Sequence, residues 1–258
     1  MARRIRGIFF DLGDTLLEFG KVDIRSAFEA GARLAHDYLT GLGHKLPPLA
    51  KYHRQQLWAI RWNYLKSRFT RKEFNSLDLL GRLSARMGHD LTAQQTAELA
   101  WLWYRPLSEC ATTEVGLAAT LMQLRKVGLK LGIISNTFVP GEVLDRHLDR
   151  EGLLDLLPTR IYSCDVRYRK PNPVIFRIAL ERAELEPGET MFVGDSPQAD
   201  VRGANIVGMM SVLKDTEGRH GSKTAGAAYS ISKVAELPAM ISREGEVLGK
   251  PQQPNPSK

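Results

Sequence analysis

After Thr113 the sequence settles into short apolar runs that alternate with stretches of helical period, an order that few folds accommodate. Val115 to Val127 carries an apolar face at helical spacing and closes at Gly128, and Leu129 to Ser135 (LKLGIIS) reads as a strand. A helix is expected over Glu142 to Arg150, ending at Gly152, and a short strand over Arg160 to Ser163. Pro173 to Ala183 reads as a helix, Thr190 to Gly194 (TMFVG) as a strand, Gln198 to Ile206 as a helix and Met209 to Leu213 as a strand. A weaker strand at Ala228 to Ile231 and a helix at Lys233 to Ile241 extend the series. Strands that are apolar throughout are buried on both faces, and strands separated by helices pair in parallel. The expected fold class is α/β, a doubly wound parallel sheet with helices on both sides.

Arg6 to Asp11 (RGIFFD) supplies one more buried strand, but the chain then changes character. Between Ile24 and Ser108 it is rich in Ala, Leu, Gln, Arg and Trp, and its apolar positions recur at helical spacing. Leu57, Ile60, Trp62, Tyr64 and Leu65 fit one helix, and Leu91, Ala97, Leu99 and Leu102 another. Gly41, Gly43, Pro47, Pro48 and Gly88 punctuate the stretch, which predicts about four helices in an insertion of roughly 85 residues. The expected division is a core of residues 1–20 and 109–242, a helical domain of 21–108, and a disordered tail of 243–258 that includes PQQPNPSK. The chain crosses between the two domains at Leu17 to Val22 and Ser108 to Glu114, which are expected to act as flexible joints.

Composition excludes several classes of function. No apolar run approaches the roughly 18 residues of a membrane span. The basic start MARRIR is followed by an apolar stretch that stops at Asp11, too short for a signal-peptide core. Cys110 and Cys164 lie far apart and read as reduced thiols, and the six histidines show no metal-binding spacing. A cytoplasmic location is expected. The formal charge of +7 arises in one segment, since Ile24 to Ser108 holds 13 Lys or Arg against 6 Asp or Glu. A solvated helical face accounts for that surplus, so neither nucleic acid nor membrane is expected as a partner, and the oligomeric state stays open.

Ligands of an open parallel sheet bind at the carboxyl ends of its strands, so polar residues just past those ends are the candidates. Asp11 ends the first strand, Ser135 and Asn136 the second, and Asp195 comes directly after TMFVG. Lys170 lies in a loop beyond another strand, ahead of a Pro-led helix. Two carboxylates with a backbone carbonyl make an oxygen-rich site suited to Mg²⁺, with Mn²⁺ as an alternative. Lys170 and Ser135 suit phosphate oxygens, and a carboxylate facing such a cradle is placed to act as a nucleophile. Each residue also has a plain structural reading. Asp11, Asp195 and Ser196 are helix-capping types, Asp200 suits a helix surface, and Ser135–Asn136 suits a turn.

Taken together, DLGDTL at 11–16, IISN at 133–136, KPNPVIF at 170–176 and GDSPQAD at 194–200 resemble the four ordered motifs of the haloacid dehalogenase superfamily. The insertion after the first motif resembles that family's C1-type helical cap. The resemblance implies a Rossmann-like core, a cap, and a Mg²⁺-dependent phosphatase that acts on a small phosphorylated metabolite through an aspartyl-phosphate. By motif position it makes Asp11 the nucleophile and a metal ligand, and Gly13 (through its carbonyl) and Asp195 the other metal ligands. Ser135 and Lys170 then hold the transferring phosphoryl, Thr15 and Asn136 bind phosphate or fix the loop, and Asp14, Ser196 and Asp200 support them.

One position departs from the family pattern. The second acid of its first motif, which protonates the leaving group, is Gly13 here, with an acid displaced to Asp14. Three readings stay open: Asp14 serves a left-handed turn, Asp14 swings in as a substitute acid, or the cap or substrate supplies the proton. The same glycine keeps open a catalytically weak binding or scaffold protein. It disfavours a mutase, which needs that acid, and a dehalogenase, which carries a large group there. Arg25, Arg54, Arg61 and Arg68 are candidates for steering phosphate. Trp58, Trp62, Trp101, Trp103 and Tyr104 are candidates for a binding wall or for the core of the cap.

Overall fold

The strand segments Gly7–Phe10 (β1), Lys130–Ser135 (β2) and Thr190–Gly194 (β4) are buried almost throughout, as a sheet covered on both faces requires. With Thr159–Tyr162 (β3), Met210–Lys214 (β5) and Tyr229–Ile231 (β6) they form a six-stranded sheet in the order β3-β2-β1-β4-β5-β6, in which every pair is parallel. The protein is a computed structural model that describes residues 5–70, 73, 75–86, 88, 90–216, 218 and 226–248. Successive side chains of β1 point to opposite layers. Ile8 and Phe10 join the larger core under Leu117–Lys126 (α5), Gly141–Arg150 (α6) and Leu237–Leu248 (α10), while Phe9 packs with Phe192, Ile134 and Phe176 under Pro173–Ala183 (α8).

Strand order reverses at β1, which pairs with β2 on one side and β4 on the other. Such a reversal opens a crevice at the carboxyl ends of the two central strands. The register fixes the residues that stand there: Phe10 lies opposite both Ile133 and Val193, so Asp11 comes level with Ile134 and Gly194, one residue short of Ser135, which ends β2, and of Asp195, which follows β4.

Between β1 and α5 the described residues form four helices: Ile24–Gly41 (α1), Leu49–Thr70 (α2), Ser76–Arg86 (α3) and Ala93–Glu109 (α4). Asp23 caps α1 and Thr92 with Gln95 forms a capping box on α4. The stripe of Gly31, Ala32 and Ala35 lets α1 approach α4 so closely that a Cβ on Gly31 would strike the Trp103 carbonyl. Tyr104 and Trp103 are buried in this seam, whereas Trp58 and Trp62 stack on each other at the exposed surface of α2. Helix α4 is tied to α6 by a Tyr104 hydroxyl–His147 Nδ1 hydrogen bond of 2.9 Å, an Arg150-to-Ser108 carbonyl bond of 2.8 Å, and Arg146, which pairs with Glu98 and covers Trp101. Burial pushes His147 down to about 4, which keeps the imidazole neutral in that seam.

Several boundaries differ from expectation for local reasons. Gly116 takes a left-handed conformation (φ 80°) and starts α5 at Leu117 rather than Val115. The helix expected from Gln198 is a π turn, Pro197–Val201, that runs into Arg202–Val207 (α9). A short helix, Ser163–Val166 (α7), comes directly after β3. Helix α10 continues to Leu248, so the expected tail is helical over residues 243–248; residues 249–258 lie outside the described residues. Cys110 and Cys164 are free thiols. Among the described residues, no helix is long and apolar enough to cross a membrane.

Candidate active site

Asp11, the residue after β1, stays hydrogen-bonded to the sheet through its amide, which donates to the Val193 carbonyl at 2.8 Å. Its Oδ1 accepts the Leu12 amide at 2.8 Å and stands 2.8 Å from Lys170 Nζ. The same ammonium lies 2.7 Å from Asp200 Oδ1, with the lysine and Asp200 side chains each 1% exposed. One buried cation therefore bridges two carboxylates brought from motifs at opposite ends of the core.

Two local devices aim that lysine. Asn136 clamps its backbone, with Oδ1 accepting the Lys170 amide at 2.7 Å and Nδ2 donating to the Lys170 carbonyl at 3.0 Å. Its Nζ also sits 5.0 Å over the Phe192 ring. Asp200 is held by the Ser196 amide, which donates to its Oδ2 at 2.9 Å, and Ser196 Oγ in turn accepts the Ala199 amide at 3.2 Å. Gly194 is required here, because a Cβ at the strand end would occupy the space of the Asp200 carboxylate. The GDSPQAD spacing thus does two things: it leaves Asp195 at the strand end and folds Asp200 back beneath it.

The electrostatics result from burial and charge. Burial alone would lower the Lys170 pKa, but Asp11 and Asp200 outweigh it and hold the ammonium above the ordinary lysine value. Burial raises the Asp200 carboxyl, opposed by Lys170. Asp195 is pushed up to about 6, first by burial and then by the charges of Asp11 and Asp14, with Lys170 opposing. One carboxylate oxygen from each of Asp11, Asp195 and Asp200 lies within 4.8 Å of the others.

The remaining expected residues are less uniform. Ser135 is buried at the end of β2. Asn136 spends its side-chain amide on the Lys170 backbone. Thr15 is buried, its hydroxyl without a hydrogen-bond partner and its carbonyl accepting from Lys214 Nζ at 2.8 Å. Asp14 takes a left-handed φ of 55°, its amide bonds the Leu17 carbonyl at 2.7 Å, and its carboxylate faces the Phe19 amide at 3.4 Å. That is the turn-forming reading. Around Gly13 there is room: a Cβ there would find its nearest neighbour, the Phe19 ring edge, at 4.0 Å.

Two groups escaped the sequence reading. Lys214, the last residue of β5, is a buried lysine in a strand expected to end at Leu213, and only that apolar neighbourhood could have flagged it. Glu73, between α2 and α3, buries its carboxylate against Arg169 and the Ser163 hydroxyl, across some 90 residues of chain that leave no local pattern. With Ser76 N donating to the Phe138 carbonyl at 2.9 Å, it brings the helical insertion against the loops that carry Asn136 and Lys170. An apolar cavity of about 40 Å³, lined by Phe28, Ile60, Leu79, Trp103, Phe138 and Val139, lies in that seam. Arg54 and Arg61 are exposed on α2, Arg25 pairs with Glu29, and the Arg68 side chain lies outside the described residues.

The fold and the residues gathered at its switch point define a Rossmann-like hydrolase. The sequence profile of the haloacid dehalogenase-like hydrolases matches residues 5–208, and the chain belongs to that family. It is 38% identical over 123 residues to haloacid dehalogenase-like hydrolase domain-containing protein 3 of Bos taurus, a match that covers 47% of this chain and 48% of that protein. The chain thus spans about half the length of the bovine and murine relatives it matches. Glyceraldehyde 3-phosphate phosphatase of Pyrococcus furiosus is 29% identical over 215 residues, covering 81% of this chain and 80% of that one. The crystal structure of a phosphatase of this family from Thermococcus onnurineus superposes with a TM-score of 0.59 at 26% identity, over 92% of this chain and 98% of its own.

The raised Asp195 carboxyl sets a pH dependence. Its pKa is about 6 in the fold against an ordinary 3.8, so its contribution favours folding below about pH 4 and is lost as pH rises through about 6. In EDTA, Asp195→Asn is expected to raise the melting temperature at about pH 7.5, with the gain shrinking towards about pH 4.5. A variant that melts no higher than the parent at neutral pH contradicts the assignment.

Proposed function

We propose that this chain is a Mg²⁺-dependent phosphatase of a small phosphorylated metabolite, with Asp11 as the nucleophile. The observation that carries the reading is the buried Lys170 ammonium set between Asp11 and Asp200, with Asp195 beside them. The charged lysine offers positive charge where a phosphate dianion would approach Asp11. The phosphatase names of relatives point the same way.

The donor set fits a hard divalent cation. Asp11 and Asp195 are only half-buried, and Asp195 is raised in part by the Asp11 charge, a repulsion that a cation would relieve. Asp11, Asp195 and the Gly13 carbonyl would hold Mg²⁺ or Mn²⁺, while Asp200 stays committed to Lys170 and the Ser196 amide. Bound Mg²⁺ would supply charge neutralisation between the carboxylates and the phosphate oxygens.

The chain's own residues then divide the work. An Asp11 oxygen forms a bond to phosphorus as the ester oxygen leaves with its electron pair, and water later cleaves the aspartyl-phosphate. Lys170 and Ser135 hold the phosphoryl oxygens, Asn136 and Asp200 aim Lys170, and Thr15 belongs to the loop that fixes Asp11. Residues 21–108 act as the cap, closing the carboxyl end of the core of residues 1–20 and 109–242, with basic α2 side chains drawing in the anionic substrate. Hydrolysis of 4-nitrophenyl phosphate is expected to require Mg²⁺, to cease in EDTA, and to vanish in Asp11→Asn with the circular dichroism unchanged. Full activity in Asp11→Asn sinks the nucleophile.

A second reading, a weakly catalytic binding protein, rests on the bare Gly13, because Asp14 is turned into its own loop. Both readings meet in one assay. Without a general acid, rates should fall steeply as the leaving group becomes more basic, since alkoxides need a proton that phenolates and carboxylates do not. Gly13→Asp, whose Cβ meets no close neighbour, should accelerate alkyl phosphates more than aryl ones, by about 10²-fold where the carboxylate reaches the leaving oxygen. A shallow leaving-group dependence in the parent, with a large loss in Asp14→Asn, makes Asp14 the acid instead.

A further inference from the structure

Lys214 is a buried lysine that the catalytic proposal does not use. It ends β5, the strand beside β4, and Leu213 pairs in register with Gly194, so Lys214 stands level with Asp195. Its ammonium donates to the Thr15 carbonyl at 2.8 Å and to Glu18 Oε1 at 2.7 Å, with the lysine side chain 1% and the Glu18 side chain 38% exposed. The loop that leaves β1 at Asp11 therefore passes over the end of β4 and is fastened on β5. Gly13 lies two residues from Asp11 and two from Thr15, so both ends of the short arch carrying its carbonyl are pinned.

Glu18 has a second engagement. Its amide donates to the Thr112 carbonyl at 2.7 Å, and the Thr112 amide donates back at 2.9 Å, an antiparallel bridge where the chain leaves for the helical insertion and returns from it. The side chain of Glu18 is thus fixed to the sheet through Lys214 while its backbone carries the joint.

We propose that Lys214 is a positioning residue that fixes the arch of residues 11–18, and with it the Gly13 carbonyl, while anchoring the joint of the helical insertion to the sheet. This rests on the reading of Gly13 as a metal donor beside Asp11. An ammonium suits the task because it satisfies a carbonyl and a carboxylate at once, and a buried carbonyl left without a donor costs stability. Removing it releases one end of the arch without touching Asp11, Lys170 or Asp195. An arch displaced by about 1 Å can cost a catalyst about 10²-fold in rate.

The test uses Lys214→Met and Lys214→Arg in the full chain. In EDTA, hydrogen exchange should speed up by about tenfold or more at the amides of residues 14–18 and at Thr112 in Lys214→Met, with β1 and β4 protected as in the parent. With Mg²⁺ and 4-nitrophenyl phosphate, kcat should fall by about tenfold or more and KM by less than about threefold, and Lys214→Arg should restore much of both. Unchanged exchange in the arch overturns the proposal, as does loss of protection spread evenly over the sheet. So does a kcat kept within about twofold of an active parent. Should the parent itself not turn over, the phosphatase reading fails and the exchange measurement alone decides the role of Lys214.

Discussion

The arrangement depends on one ion-pair triad, the Lys170 ammonium between Asp11 and Asp200. Burying a lone charge costs several kcal/mol, and burying two carboxylates with one lysine is tolerable only where geometry lets each group compensate the others. Much of the surrounding structure meets that need. Asn136 fixes the backbone from which the lysine reaches, Ser196 donates its amide to the second oxygen of Asp200, and Gly194 leaves the space that carboxylate fills. The triad sets two carboxyl groups against one ammonium, and Asp195 next to it adds another acid. Burial first, and then the charges of Asp11 and Asp14, hold the Asp195 carboxyl above its ordinary value.

The doubly wound sheet makes this convergence possible. Reversal of strand order at β1 sets the ends of β1 and β4 side by side, so residues 184 positions apart in sequence, Asp11 and Asp195, open into one crevice. The helical insertion touches the loops next to the site. Glu73 and Ser76 meet the loops bearing Lys170 and Asn136, while α4 is held to α6 by Tyr104, His147 and Arg150.

How much of this was legible in the sequence differed by interaction range. Strands such as TMFVG declare themselves because burial on both faces demands an apolar run, and Asp11, Ser135 and Asp195 are legible as the polar residues at the ends of such runs. Asp200 read equally well as a surface acid, because nothing local shows that a π turn folds it beneath Gly194. Asn136 was expected near phosphate, yet its amide bonds backbone 34 residues away, a pairing only the closed fold reveals. Gly13 and Asp14 were legible as an anomaly, and the left-handed φ of Asp14 supports the turn among the readings left open. Lys214 and Glu73 were invisible, since a buried charge is known only by partners that arrive from elsewhere in the chain.

The central claim is that Asp11, one of the two carboxylates paired with Lys170, takes the phosphoryl group. Acid quenching of a single turnover of 4-nitrophenyl phosphate with Mg²⁺, then peptide mass spectrometry, tests it directly. A phosphoryl group should appear on Asp11 and decay as inorganic phosphate accumulates. Turnover with no phosphoryl group on Asp11 at any quench time, or with it on another residue, contradicts the account.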